Sequence, residues 1–593
     1  MNFTTPQAEA IGTTSLNALV VAGPGSGKTS TLTARIEAIL EAGFDPKAIA
    51  VLSFTNAAAN ELARRLTKEV PKGTVLAHPV GPEVNGISRE GVQLGFLGTL
   101  HSFALHCLKR HGEPFGYGRR TAIISPESAE DLMASKATSL GCNVPLKKLL
   151  EAKARDGRPP RGKRLSLVET VIATYLDELR EARVVDYDVL LQEFREMLTS
   201  TDPNALSAQQ EIERAFSHLF VDEVQDSAAI DWDIYRALPI GTKFYVGDPD
   251  QNLYEFRGAR VREMVREAGD SRTAVFKLEE NFRSDVAICA AAQRLVANNR
   301  TRVDKETRPV SEDPGSVVLL GEFENEGEEI AVVSREIKAL GYEPARLKEI
   351  AVLARTNAIA EGFRRTLPNA EIPVVGLKHH ELPRDWALAR SYVELLLDPD
   401  NDALAYFYLV SKLTLSGRGP AAARREAQRM RVEANAADLS INARFLNRME
   451  PVALPSTALT ALSRAGTSRE AQMIAVEKWR ELPPGAGMDD FALALASVYD
   501  YSKEEEGDGV HVLTMHGAKG REWDAVFLVG MEDETIPGRA DDADAIEAER
   551  RVAYVALTRA RHAAFLSSVK SRVTPWKQVV ARRPSRFLKE ILP

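Results

Sequence analysis

Cysteine is almost missing from this chain: Cys107, Cys142 and Cys289 are the only three in 593 residues, and no two form a CxxC pair. A disulfide framework, a cysteine-built zinc site and an iron–sulfur cluster are therefore disfavoured, and the usage fits a reducing cytoplasm. No run of about 18 apolar residues occurs, and the opening MNFTTPQAEA has neither a basic segment nor an apolar stretch behind it. Neither export nor a membrane span is expected. Positive charge is not in excess: 76 Lys and Arg stand against 84 Asp and Glu, a net charge of -8. That balance argues against indiscriminate capture of polyanions but leaves room for a local basic groove, because phosphate affinity follows local charge. Internal repeats and low-complexity tails are also lacking. What remains is an ordinary globular composition, 44% hydrophobic and 27% charged, long enough for roughly four domain-sized units.

Short apolar segments alternate with helical patterns, which predicts an α/β fold with parallel sheets. One set of strands is expected at 18–22, 48–54, 218–223 and 243–248, and a second at 316–323, 349–355, 511–515 and 525–530. Between members of each set, roughly 104–205 and 396–505, the chain reads as helix without strand pattern. Two α/β cores, each interrupted by a mainly helical insertion, is the simplest organisation.

AGPGSGKTS, residues 22–30, follows a buried-type strand and opens a helical pattern. In Ala22, Gly23, Pro24, Gly25, Ser26, Gly27, Lys28, Thr29 and Ser30 the glycines allow backbone N–H groups to curl around phosphate oxygens. Lys28 supplies a point charge and Thr29 a hydroxyl for Mg2+. Ala22 stands where the strict pattern has its first glycine, and the glycine spacing does not suit a dinucleotide fold. HLFVDEVQDS (218–227) places Asp222 and Glu223 at a strand tip, suited to holding Mg2+ and to activating water respectively. Together the two motifs predict a nucleoside-triphosphatase.

VGDPDQNLYEFRGA (246–259) asks for more than a turn. Gln251 at its start is placed to sense a γ-phosphate or to orient water. Tyr254 and Phe256 offer ring faces for bases, worth roughly 1–3 kcal/mol each, and Arg257 offers a guanidinium. The loop reads as a relay between nucleotide state and a stacked strand.

In this order, with TTPQAEAI, SFTNAAANELARR (53–65), GTLHSF (98–103), VVDYDVLL (184–191), LEENFRS (278–284), HVLTMHGAKGREWDAVFLVGMED (511–533), EAERRVAYVALTRARH (547–562) and the closing PSRFLKEILP, the sequence resembles the UvrD/Rep/PcrA-like DNA helicases of superfamily 1A from Gln7 onward. The resemblance implies two RecA-like motor domains, at 1–103 with 206–285 and at 286–395 with 506–593, carrying insertions at 104–205 and 396–505. ATP and Mg2+ would lie between them. It implies adenine contacts from Gln7 and Phe282, a ribose contact from Glu522, and γ-phosphate arginines Arg283 and Arg559. Lys28, Asp222, Glu223 and Gln251 complete the expected catalytic set. Phe54, Thr55, Asn56, His101, Tyr254, Phe256, Arg257 and His516 are implied for single-stranded DNA.

Phe282 replaces the usual tyrosine, Trp523 a phenylalanine and Gly517 a serine. The family's 3′ to 5′ polarity comes by resemblance alone. Two basic runs, KKLLEAKARDGRPPRGKR (147–164) and GRGPAAARREAQRMR (417–431), read either as solvated faces or as platforms for duplex or tail phosphates. The shortened second insertion leaves translocation better supported than unwinding. The alternative function is an ATP-controlled DNA-end sensor or defence-system subunit acting with a separate nuclease; a nuclease or repair factor is the protein partner considered.

Overall fold

The computed structural model describes residues 3–69, 94–113, 116–118, 121–156, 164–253, 255, 259–341, 343–380, 382–397, 411, 462–463, 466–482, 488–496, 498, 501–504, 507–573 and 578–593. Its first sheet contains β1 Asn17–Ala22, β2 Ile49–Ser53, β3 Phe96–Thr99, β4 His218–Val221, β5 Thr242–Gly247 and β6 Thr273–Leu278. They lie in the order β3-β2-β4-β5-β1-β6, each pair parallel. The second sheet contains β7 Ser316–Phe323, β8 Ile350–Ala354, β9 Val374–His380, β10 Tyr501–Glu504, β11 Val510–Thr514, β12 Trp523–Val529 and β13 Ala560–Val569. Its order is β7-β13-β12-β8-β11-β9-β10, parallel except for the antiparallel β9–β10 pair.

The pattern of apolar residues explains the layering. In β1, Leu19 and Val21 enter one core while Ala18, Val20 and Ala22 enter another on the opposite face. β8 divides the same way, Ala351 and Leu353 against Ile350, Val352 and Ala354. Strands buried on both faces read as unbroken apolar runs and need helices on each side, as parallel sheets require. Because β4, β5 and β1 are neighbours and parallel, the loops after all three open at one edge, where ligands bind in open α/β sheets.

The first insertion is built of helices, including Leu167–Glu181 and Tyr187–Thr199, whose core is continuous with one face of the first sheet. From the second, Met488–Ala496 packs with the helix Trp386–Leu397 and shares that core through Phe491 and Leu495. Each insertion, expected to be mainly helical, also carries a short strand that the sequence does not announce. Ala122–Ile123 pairs with Val184–Val185, a ladder too short to leave any alternation in sequence. β10, with the sequence YSKE, caps the edge of the second sheet and carries no apolar signature. Among the described residues no helix is long and apolar enough to cross a membrane.

The basic run at 147–164 is not uniformly a solvated face. Lys153 is buried, donates to Asp186 at 2.6 Å and lies 3.1 Å from Asp188. Tyr175 also donates to Asp186. Residues 157–163 and the run at 417–431 lie outside the described residues. Removing one member of a buried ion pair strands the other, at a cost of about 3–5 kcal/mol. Lys153→Ala should therefore shift the unfolding of the first insertion to lower denaturant, while Lys153→Met with Asp186→Asn should recover much of the loss.

Candidate functional site

At the shared edge of the β1, β4 and β5 loops lies a cavity of about 610 Å³, lined by residues of both sheets' loops. Its floor is the turn from β1 into the helix Lys28–Glu41, with Gly25, Ser26, Gly27, Lys28, Thr29 and Ser30 on its wall. Gly23 N donates to Leu278 O at 3.1 Å, which fastens the turn to the end of β6. Gly25 has φ +66° and accepts a hydrogen bond from Phe282 N at 3.0 Å. A Cβ on Gly25 would stand 2.6 Å from Arg283 Cβ, so the turn and the 281–283 segment fit together only because that position lacks a side chain. Ala22, Gly23 and Pro24 are buried behind this wall.

The acids after β4 face the same cavity. Burial and the neighbouring Glu223 charge push the Asp222 carboxyl well above the usual range. For Glu223 burial acts in the same direction, but Lys28, Lys519 and the Gln225 amide together outweigh it and hold the group ionised. Glu223 takes left-handed backbone, φ +53°, a conformation disfavoured for a side-chain-bearing residue. Gln225 Nε2 donates to Glu223 Oε2 at 2.5 Å, and Asp248 N donates to Gln225 Oε1 at 3.0 Å. This amide therefore joins the tips of β4 and β5. A Cβ on Gly247 would meet Gln225 Oε1 at 2.5 Å, which accounts for glycine at the end of β5. Gln251 lines the cavity, its Nε2 donating to Asp248 Oδ2 at 2.6 Å.

The opposite wall carries Arg283 and Arg559. Arg283 is braced by Glu522, Nε to Oε2 at 2.5 Å, and Glu522 is shared with Arg561 at 2.8 Å. Arg559 is buried and donates to Val555 O at 2.9 Å, to Arg521 O at 3.2 Å and to Thr558 Oγ1 at 3.2 Å. Among the described residues no carboxylate lies within ion-pair distance of it. Burial, then the adjacent Arg283 charge, lowers its pKa, which marks a buried cation lacking compensation. Such a wall, facing glycine-rich backbone and Lys28, attracts an anion.

Other expected contacts lie elsewhere. Gln7 is buried and donates to Ser26 O at 3.0 Å while accepting from Thr4 N at 2.9 Å, so its amide braces the turn from behind. Phe282 is 54% exposed. Neither residue, nor Glu522, is on the cavity wall.

Comparison with known proteins agrees with this arrangement. Residues 3–271 match the UvrD/REP helicase N-terminal domain, and residues 276–382 with 490–571 match the UvrD-like helicase C-terminal domain. The chain belongs to the UvrD/REP helicase family. Its relatives include ATP-dependent DNA helicase PcrA of Leuconostoc citreum, 28% identical over 99% of this chain and 84% of the relative. PcrA of Staphylococcus aureus is 25% identical over 100% and 86%, and PcrA of Staphylococcus epidermidis 26% over the same shares.

Of the residues expected from sequence at a single strand, Phe54, Thr55 and His516 line the cavity. Asn56 begins the helix Asn56–Glu69, which Thr55 Oγ1 supports by accepting from Ala58 N at 3.1 Å. His101 is not with them: its ring stacks on Tyr187, centroids 3.8 Å apart, joining the helix Leu100–His111 to the first insertion. Tyr254, Phe256 and Arg257 lie outside the described residues, as does Trp576. Trp523 is buried against His511 in the second sheet.

Lys519 and Asp226 were not singled out from sequence. Lys519 pairs with Asp226 and lies 3.9 Å from Glu223 on the cavity wall. The third acid of DEVQD and the lysine of MHGAKG were the available signals. Burial pushes Asp226 up to about 6 against the opposing pull of Lys519.

His516 is held down to about 4 by burial, then by the Arg355 charge, so the folded state favours the neutral ring. The unfolded chain takes up that proton near 6.5. His516 should therefore make stability rise with pH between about 4 and about 6.5 and add no slope above that window. Denaturant unfolding of wild type and His516→Gln at about pH 4.5 and about pH 7.5 should show a smaller acid loss in the variant.

Proposed function

We propose that this chain is an ATP-driven translocase on single-stranded DNA and a 3′ to 5′ DNA helicase, acting at junctions of single and double strands in the cytoplasm. The observation that carries the reading is the position of Arg559. It is a buried guanidinium from the second half of the chain, without a carboxylate partner among the described residues, on the wall opposite the glycine-rich turn of the first half. A γ-phosphate is the anion that such a wall completes.

In this reading the N–H groups of residues 25–29 and the Lys28 ammonium cradle the phosphates. Thr29 and Asp222 supply oxygen donors on one wall, the donor type that Mg2+ prefers, and burial together with the Glu223 charge raises the Asp222 pKa, a cost that a bound cation would offset. They fit the ion, which would screen phosphate charge. Glu223, kept ionised by Lys28 and Lys519, takes a proton from water that Gln251 orients. Arg283 and Arg559 stabilise charge on the leaving phosphates and register closure of the two sheets. Phe54, Thr55 and His516 lie beside the pocket, where closure would alter their grip on a strand. A nuclease or repair factor as protein partner belongs to the same proposal.

ATP hydrolysis measured with and without single-stranded DNA tests the reading. Strong stimulation is expected, with Glu223→Gln reducing kcat at least about 100-fold, or some 3 kcal/mol. Arg559→Ala should do the same with smaller change in KM, since its interaction forms chiefly in the transition state. Duplexes with 3′ tails should be displaced and those with 5′ tails should not. Binding of DNA that depends on ATP without displacement would identify a sensor instead.

A further inference from the structure

The two acids of VGDPDQ do not face the cavity. Asp248 and Asp250 are fully buried and meet the ammonium of Lys305, itself buried. Lys305 Nζ donates to Asp248 Oδ1 at 2.8 Å and also to Asp250, and Arg302 stands 3.6 Å from Asp250. The other Asp248 oxygen accepts from Gln251 Nε2 at 2.6 Å. One carboxylate thus has the lysine on one side and the cavity-lining amide on the other.

Lys305 lies in the segment that joins the two sheets, between β6 and β7. That segment is fastened to the helix Ala543–Leu557, which leads directly into Arg559. Arg300 N and Thr301 N donate to the Glu547 carboxylate at 2.8 and 3.1 Å. Arg550 donates to Asn299 Oδ1 at 2.6 Å, and Arg551 to Thr301 O at 2.9 Å. Arg551 also reaches Glu255, in the loop that follows Gln251, at 3.0 Å. Hydrogen bonds thus tie the helix that leads into Arg559 to Thr301 through Glu547, the chain itself runs from Thr301 to Lys305, and hydrogen bonds lead on from Lys305 through Asp248 to Gln251.

We propose that Lys305 is a positioning residue for hydrolysis: through Asp248 it orients the Gln251 amide, and through its segment it ties that orientation to the helix that delivers Arg559. The inference rests on the ATPase reading above and assigns a role to a residue outside the cavity. The positions of Gln251 and Arg559 on the two sides of the pocket are then coupled. When the helix that leads into Arg559 shifts, Lys305 carries the shift to Asp248, and Gln251 reaches its working position only with the arginine. A buried lysine between two carboxylates suits this role because neither partner has solvent as an alternative.

The test is a double-variant cycle on DNA-stimulated ATP hydrolysis, with Lys305→Gln, Gln251→Ala and their combination in the full-length chain. Lys305→Gln should lower kcat about tenfold or more while KM for ATP stays within about threefold. Lys305→Arg, which keeps the charge, should recover much of the rate. The combined variant should be no slower than Gln251→Ala alone, because both changes cut the same link. Multiplicative losses, or a folded Lys305→Gln enzyme with wild-type kcat, would overturn the proposal. Should Lys305→Gln not fold, Lys305→Gln with Asp250→Asn removes one positive and one negative charge together, so that the buried cluster of Asp248 and Arg302 stays in charge balance. The same cycle then runs against Asp250→Asn and is read the same way. A wild-type chain without ATPase activity overturns the underlying reading and this inference with it, whereas an active wild type with an indifferent Lys305 overturns this inference alone.

Discussion

Where Phe282 N donates to Gly25 O, the turn that ends β1 and the segment leading out of the first sheet share one backbone hydrogen bond. The rest of the cavity depends on that contact. It sets Arg283 against the glycine-rich turn at a distance no side chain on Gly25 would allow. Arg283 in turn is held by Glu522, 239 positions further along the chain, and so brings the second sheet's loops to the first sheet's edge. Arg559 and Lys519 arrive through the same approach. A glycine without Cβ thus makes room for the charged residues that give the pocket its chemistry.

Charge in this pocket is arranged in unequal pairs. Glu223 is compensated by Lys28 and Lys519, while Asp222 beside it carries the cost of burial. Arg283 has Glu522, while Arg559 has only carbonyl and hydroxyl acceptors. Leaving one acid and one base uncompensated is unfavourable for the empty protein and favourable for a ligand bringing both a cation and a polyanion. Stability is given up locally where binding recovers it, a common trait of functional sites.

Sequence made the central strands and the local motifs legible, because both depend on neighbours in the chain. β1, β2, β4, β5, β7, β8, β11 and β12 fall within a residue or two of their expected positions. β3 and β6 were not anticipated: they are the edges of the first sheet, short or only partly buried, and TAVFKL lacks an unbroken apolar run. β13 was missed for another reason. ARHAAFLSSV begins in alanines directly after a helix and reads as its continuation, yet it lies inside the second sheet. The partners of the motif residues were the least legible. Nothing near VGDPDQ names Lys305, and nothing in LEENFRS names Glu522, since ion pairs between distant segments leave no periodicity. Gln7 and His101 carry a further lesson: in this structure the Gln7 amide bonds to Ser26 and the His101 ring stacks on Tyr187, contacts that a motif does not reveal.

The position of β13 bears on how the chain comes to be folded at all. It lies between β7 and β12, so the second sheet cannot close until residues 560–569 have left the ribosome. Until then both neighbours present open strand edges, and the helix that leads into Arg559 has no strand to follow it. The first sheet is complete by Leu278, roughly half a translation earlier, and at 5–20 residues per second (an order-of-magnitude pace) that interval lasts from about 15 seconds to about a minute. A nascent chain of this protein therefore spends much of its synthesis with one finished sheet and one whose strands still present unpaired edges.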